Sequence, residues 1–366
     1  MLNNLIDFND LTSSEWENIF KLGLDICGNP QKYSQRCKGK ILATLFYEPS
    51  TRTKFSFQSA IIKLGGSVIG FSGTAETSVA KGESLRDTIK IVANYADAIV
   101  IRHPSEGAAF AASLYSKIPV INAGDGGHLH PTQTMTDLFT IGKLKNKTST
   151  GLDIGICGDL LYGRTVHSLL KAFSLSGLYE ENTFYFISSP ELRVPEIFIE
   201  DLRKNNKIII VDKIEDCIDK LDIIYMTRIQ RERFANNTEY EKQKGIYILD
   251  KEKLSRARED LIILHPLPKN DEIAADVDDD ERAKYFYQAG LGLYIRMSLL
   301  IKILENSENP EQRNNTKITG SIDNIDRKCV NPKCITNDVL EKYLPNIAKT
   351  DVAGNLLCAY CENKFD

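Results

Sequence analysis

From residue 40 to residue 305 the chain alternates short β-rich runs with longer stretches of helical period, and few architectures accommodate such a rhythm. The runs are Ile41 to Tyr47, Ser67 to Phe71, Ala98 to Arg102, Val120 to Asn122, Ile154 to Cys157, Phe184 to Ile187, Lys207 to Val211, Ile223 to Met226 and Leu261 to Leu264. Several are apolar throughout, as strands covered on both faces tend to be. Between them Phe57, Ala60, Ile61 and Leu64 recur at helical spacing, with Gly65 and Gly66 placed to end the helix. A second helix is expected near Ser84, with Leu85, Ile89, Val92 and Ala96 as its stripe, and Thr12 with Glu15 has the spacing of a capping box. So many strands exceed one ordinary sheet. The expected fold class is α/β, two domains of parallel sheet flanked by helices, divided along the helix that follows Pro131.

A length of 366 residues allows about two to three domains, and a third candidate stands at the C-terminus. Of the eight cysteines, Cys27, Cys37, Cys157 and Cys217 are scattered, whereas Cys329, Cys334, Cys358 and Cys361 crowd together beyond the polar, Asn-rich stretch ENSENPEQRNNTKITG, which reads as a linker. Cys329 and Cys334 flank VNPK, and Cys358 and Cys361 flank AY. Two close pairs can give four thiolates to a tetrahedral Zn²⁺ with no open position, which describes a structural zinc site in a small four-cysteine domain rather than a catalytic one. Disulfides are the alternative, and they are disfavoured in a cytoplasmic chain. The N-terminus lacks the cationic start and apolar core of a signal peptide, and no apolar run approaches the ~20 residues of a membrane span, so a cytoplasmic location without a membrane partner is expected. The formal charge is -4, and residues 306 to 366 hold eight Lys and Arg against nine Asp and Glu, a poor footprint for nucleic acid.

The first chemical candidate is Ser50-Thr51-Arg52-Thr53, placed after a strand and at the start of a helix. Hydroxyls and backbone N–H groups at a helix N-terminus, joined by a guanidinium, make a pocket suited to phosphate. For these four residues alone, a plain N-cap with a surface arginine is an equal reading. The surrounding blocks break the tie. FYEPSTRTKFSFQSA resembles the carbamoyl-phosphate signature of the aspartate and ornithine carbamoyltransferases, and KGESLRDTI, IRHP, HPTQTMTDLFTI, GDLLYGRTVHSLL, YMTRIQRERF and LHPLP follow in family order, the last of them matching the aspartate enzymes.

The resemblance implies roles residue by residue. Ser50, Thr51, Arg52, Thr53 and Arg102 would bind the phosphate, with Thr53, Arg102 and His130 also directed at the carbonyl oxygen that gains charge, and Gln133 on the carbamoyl amide. Lys81 would come from a loop that enters a neighbouring subunit's site, with Ser78, the nearest serine, as its companion hydroxyl, or Thr77 by an ungapped count, which implies a homo-oligomer, a trimer or a multiple of it. Arg164 would take the α-carboxylate of aspartate, and Arg228 with Gln230 its side-chain carboxylate, since a guanidinium fork fits carboxylate geometry. Backbone carbonyls of Pro266 and Leu267 would meet the carbamoyl nitrogen and the incoming amine. The segments MTRIQ and HPLP stand where an ornithine enzyme has Ser-Met-Gly and a cysteine, so ornithine is not the expected acceptor. The implied reaction is attack of the α-amine of L-aspartate on carbamoyl phosphate, giving N-carbamoyl-L-aspartate and phosphate, a step of pyrimidine biosynthesis that needs no cofactor. His103, His128, His167 and His265 receive no catalytic role.

On these implications residues 1–135, completed by a helix at about 285–305, form a carbamoyl-phosphate-binding domain, and 136–284 an aspartate-binding domain. Residues 306–320 form the linker and 321–366 the zinc domain. CVNPKC with CAYCENKF resembles the zinc domain of the aspartate carbamoyltransferase regulatory chain. The linker has no room for that chain's nucleotide-binding domain, so the tail is expected to contact catalytic subunits without sensing nucleotides. A carbamoyltransferase for another amine acceptor, and a zinc-ribbon interaction protein on an inactive scaffold, are the rival readings.

Overall fold

A computed structural model describes residues 2–145, 150–174, 179–229, 237–243, 245–307, 321–322, 325–351 and 354–365. The chain divides into two compact units, Met1–Thr132 with Leu293–Asp366, and Gln133–Gly292.

The first unit opens with α1 (Ser13–Gly28), whose start is closed by the expected capping box. Thr12 Oγ1 accepts the Glu15 N–H at 3.2 Å, and the Glu15 carboxylate accepts the Thr12 N–H at 3.0 Å. Then β1 (Ile41–Phe46), α2 (Thr51–Lys63), β2 (Ser67–Ser72), α3 (Leu85–Val92), β3 (Ala98–His103), α4 (Ala108–Tyr115) and β4 (Val120–Asp125) build a parallel sheet in the order β2-β1-β3-β4. The apolar stripe of α2 does what its spacing predicts: Phe57, Ala60, Ile61 and Leu64 are wholly buried. Because β1 has β2 on one side and β3 on the other, connections leave it in opposite directions. The crevice beyond the C-terminal ends of β1 and β3 is the switch point at which such sheets bind ligands.

From β4 the chain passes through α5 (Pro131–Leu144) into the second unit. Its elements are β5 (Asp153–Cys157), α6 (Arg164–Phe173), β6 (Thr183–Ile187), β7 (Lys207–Val211), β8 (Ile223–Met226), α7 (Asn237–Gln243), α8 (Lys251–Leu254) and β9 (Ile262–Leu264). The strands form a second parallel sheet, β7-β6-β5-β8-β9, with its switch point between β5 and β8. Every β-rich run of the sequence is a strand, and the largest misplacement of an end is at β4, which continues to Asp125. Helix α9 (Tyr285–Ser307) continues past the expected start of the linker, and residues 308–320 lie outside the described residues.

The tail adds a small antiparallel sheet, β10 (Ser321–Ile322), β11 (Ala348–Thr350) and β12 (Leu356–Cys358), and it belongs to the first unit. Its partner is α4. The sequence of that helix, AAFAASLY, is apolar all round, which requires cover on every side. The sheet covers one face, and Ile335, Ile347, Ala359 and Tyr360 share a single core with Ala108 to Ala112 on the other. Gly107, just ahead of α4, has φ +81°, and a Cβ there would lie 2.5 Å from Tyr360 Cβ, so only glycine admits the tail this closely. The Tyr360 and Phe110 rings meet edge to face at 5.1 Å. At the rim Lys333 O accepts the Glu106 N–H and Glu106 O accepts the Ile335 N–H, both at 2.9 Å. Full burial of a side chain the size of Ile335 is worth roughly 1.5–3 kcal/mol against about 1 kcal/mol for each rim hydrogen bond, so apolar contact carries the docking.

Candidate active site and metal centre

At the first switch point the chain violates an ordinary rule of helix design. Most helix starts carry an acid or a capping side chain, because the first N–H groups lack partners and the macrodipole is positive there. Helix α2 begins Thr51-Arg52-Thr53-Lys54 with no acid in its first turn, and its N-cap Ser50 makes no side-chain cap. The Arg52 guanidinium lies near that of Arg102. Partial burial and then the charge of Arg102 hold Arg52 below the usual arginine value, so two cations converge on bare N–H groups. An anion would relieve both conditions at once.

Arg102 reaches this place from the end of β3, where its Cα is paired with Phe46 at the end of β1. Its side chain is 9% exposed, held by the Ala123 carbonyl at 3.3 Å and by Glu48 at 3.2 Å. A shift of register between Ile101 and His103 against β4 marks the same strand end, and such bulges re-aim side chains beside functional sites. Gly124 joins Arg102 to His130. It has φ +114°, and a Cβ on it would come within 2.9 Å of Arg102 Nη1 and 3.4 Å of His130 Cδ2. Thr53 and His130 are buried as well. Thr53, Arg102 and His130 thus place a hydroxyl, a guanidinium and an imidazole in a largely dehydrated setting, where electrostatic interactions are stronger than in water.

Ser78 and Lys81 lie in the same unit on an exposed 3-10 turn, Ser78–Lys81. Thr77 Oγ1 donates to the Thr74 carbonyl at 2.8 Å and so is used within its own loop, whereas Ser78 is exposed.

In the second unit, Arg164 is the first residue of α6 after the end of β5, and Arg228 follows the end of β8, so the two half-buried arginines stand at the two strand ends that define the second switch point. Helix α6, like α2, has no acid in its first turn. Gln230 lies outside the described residues. Gln133 Nε2 donates to Asp137 at 2.7 Å, and the same carboxylate accepts from Gln288 at 2.6 Å and from the Tyr225 hydroxyl at 2.9 Å. Since a carboxylate only accepts, the amide of Gln133 is fixed in one sense, with its oxygen as the group offered onward. The turn at Pro266 and Leu267 is braced by His265. Its Nδ1 accepts the Leu267 N–H at 2.7 Å, so Nε2 carries the proton and donates to Glu272 at 2.7 Å. That bond helps hold Leu267 at φ +55°, a conformation few non-glycine residues adopt.

Several functional neighbours were not singled out in the sequence. Glu48 sits inside FYEPSTRT and Asp137 is four residues after Gln133, so motif and helical spacing could have signalled both. Gly124 and the bracing role of His265 left no such signal. His103 and His167 are also structural: His103 Nδ1 accepts the Ser105 N–H at 3.0 Å, and His167 stacks on Phe198 at 4.0 Å with Nε2 bonded to the Leu160 carbonyl.

The four tail cysteines form a separate centre. Their sulfurs all lie within 4.8 Å of one another, with Cys329 and Cys361 at 3.5 Å and Cys334 and Cys358 at 3.8 Å. These distances are far above the ~2.05 Å of a disulfide. Sulfurs around one metal at about 2.3 Å would stand close to 3.8 Å apart, so the set fits a closed four-thiolate structural site.

Comparison with known proteins matches this layout. Residues 3–143 match the family described as aspartate/ornithine carbamoyltransferase, carbamoyl-P binding domain, and residues 150–303 its Asp/Orn binding domain. Residues 320–366 match the aspartate carbamoyltransferase regulatory chain, metal binding domain. The chain is 56% identical over 302 residues to the aspartate carbamoyltransferase catalytic subunit of Clostridium novyi (strain NT), covering 82% of this chain and 97% of that one. It is similar to the catalytic subunit of M. jannaschii aspartate transcarbamoylase in an orthorhombic crystal form, with TM-score 0.77 and 47% identity over 84% of this chain and 100% of that one. The aspartate transcarbamoylase of Trypanosoma cruzi in complex with N-(phosphonacetyl)-L-aspartic acid matches with TM-score 0.77 and 32% identity, over 82% and 95% of the two chains.

Proposed function

Since the chain belongs to the aspartate/ornithine carbamoyltransferase family, we propose that it transfers the carbamoyl group of carbamoyl phosphate to the α-amine of L-aspartate. The observation that carries this reading is the convergence of Arg52 and Arg102 on the uncapped start of α2, beside buried Thr53 and His130. Ser50, Thr51, Arg52, Thr53 and Arg102 bind the phosphate. Thr53, Arg102 and His130 donate to the carbonyl oxygen as it gains charge, and Gln133 offers its oxygen to the carbamoyl nitrogen. Lys81, with Ser78, adds a cation to the transferring group. Arg164 takes the α-carboxylate of aspartate and Arg228, with Gln230, the other carboxylate, while the carbonyls of Pro266 and Leu267 accept from nitrogen. The neutral amine attacks the carbonyl carbon, the C–O bond to phosphate breaks, and the departing phosphate can take the amine proton. No side chain need become a nucleophile, so positioning and charge stabilisation supply the rate.

The tail metal is read as Zn²⁺, the ion that four thiolates at such separations suit best. The location is read as cytoplasmic. The catalytic unit is read as a trimer with Ser78 and Lys81 serving a neighbouring site, in support of which α2 exposes Phe55 and Ile62 and the edge strand β2 exposes Ile69. Assay of the ureido product with carbamoyl phosphate and a panel of amines tests the reaction. Turnover of aspartate is expected, and turnover of ornithine in its place would overturn the assignment. Mixing an Arg52→Ala chain with a Lys81→Ala chain tests the shared site, since activity returns only if the two residues come from different chains.

A further inference from the structure

We propose that Glu341, in the metal-held tail, is a positioning residue for the Ser78–Lys81 turn. Glu341 is 3% exposed, and its Oε1 accepts the N–H of Leu85, the first residue of α3, at 2.5 Å. Two residues along the tail, the ring of Tyr343 lies under the Arg86 guanidinium at 4.5 Å, so the tail holds the start of α3 at two neighbouring residues.

The turn that carries Lys81 is stitched to this helix start. The Glu83 N–H donates to the Ser78 carbonyl at 3.2 Å, and the Glu83 carboxylate accepts from Thr88 Oγ1, one turn into α3, at 2.7 Å. Only Gly82, Glu83 and Ser84 separate Lys81 from Leu85. A displacement of the helix start is therefore passed to Lys81 through hydrogen-bonded backbone rather than lost in a slack loop.

Stability alone does not account for an acid here. Ser84 already caps α3, its Oγ accepting the Asp87 N–H at 3.2 Å. Burial raises the Glu341 carboxyl above its ordinary value, and a buried acid is a poorer stabiliser than an apolar side chain of its size. What the acid does supply is a directional acceptor that locates Leu85 relative to the tail.

The inference rests on the proposed role of Lys81, and a double-mutant cycle in the full metal-loaded chain separates the two. Glu341→Ala is expected to lower kcat and kcat/KM together by about tenfold, the weight of one buried hydrogen bond. Glu341→Gln, which keeps an oxygen acceptor, restores most of the loss. In a Lys81→Ala background the Glu341→Ala change is expected to cost less than about twofold, because the group it positions is gone. If Lys81→Ala is itself impaired and Glu341→Ala costs the same factor in both backgrounds, the positioning role is overturned while the reading of Lys81 stands. If Lys81→Ala turns over at the normal rate, both fall. An unchanged kcat in Glu341→Ala overturns the inference alone.

Discussion

Helices α2 and α3 leave the same sheet, each after a serine, and their first turns have opposite fates. At α3 the Ser84 hydroxyl takes the Asp87 N–H, Asp87 supplies an acid to the first turn, and Glu341 takes the N–H of Leu85. At α2 the Ser50 side chain caps nothing, the first turn contains Arg52 and Lys54, and Arg102 adds a second guanidinium. The protein satisfies one helix start with its own carboxylate and keeps the other open and cationic. The difference teaches that a helix N-terminus marks a ligand site when its acceptors are missing and like charges have been gathered in their place.

The sharpest way to break this contrast is to remove the charge that α2 collects. Arg52→Ala is expected to lower turnover by roughly 10²–10³-fold, the scale seen when one preorganised donor to a developing charge is lost. The melting midpoint of the free protein should hold or rise, because Arg52 and Arg102 no longer repel each other. A variant with normal turnover, or one that is inactive because it is unfolded, would remove the case for an anion site at α2.

The next largest effect comes from releasing the carboxylate at α3. Cys334→Ser takes one thiolate from the metal centre, and a tail this small depends on its metal for folding. Turnover should fall about tenfold, to the level of Glu341→Ala, and limited proteolysis should cut within the tail. Full activity in a chain whose tail is demonstrably cut would show that α3 needs no cap from Glu341.

Much of the fold could be read from the sequence because parallel strands are buried on both faces and so leave unbroken apolar runs, as at Ile223 to Met226. The Thr12 capping box and the start of α3 after Ser84 were readable for a similar reason, since both depend on neighbours within one turn. The site residues Arg52, Arg102 and His130 were found through motif blocks that resemble a family, and the meeting of Arg102 with His130 over Gly124 has no local signature. The seating of the tail on α4 was legible only in part. AAFAASLY announces that something must cover the helix, but which surface does so depends on residues such as Tyr360 and Ile335, more than two hundred positions away. Glu341 was invisible for the same reason, because its partner, the N–H of Leu85, is backbone and leaves no trace in residue type.

A smaller effect should appear as a pH dependence of the docked tail. His128 bridges Asp125 at 3.1 Å and Glu362 of the tail at 3.2 Å. Burial works against its charge, but the Asp125 and Glu362 carboxylates outweigh it and push the imidazole up to about 10. A histidine raised above its unfolded value near 6.5 contributes stability that is complete below about pH 6.5 and is lost as pH rises through about 10. The stability of the docked tail should therefore decline between pH 7 and 10 as the imidazole gives up its proton, and His128→Gln should flatten that decline. An identical slope in both proteins would assign the pH dependence elsewhere.

The smallest effect isolates the ordinary cap of α3 from the unusual one. Ser84→Ala removes the side-chain acceptor of the Asp87 N–H and should cost about 1 kcal/mol of stability, the typical weight of an N-cap hydroxyl. Because Glu341 still fixes the Leu85 N–H, and Glu83 still ties the turn to Thr88, turnover should change by less than about twofold. The two caps then separate by readout, with Ser84 acting on the melting midpoint and Glu341 on kcat. If Ser84→Ala lowers kcat as much as Glu341→Ala does, any weakening of the helix start disturbs Lys81, and the contact from the tail has no special part in placing it.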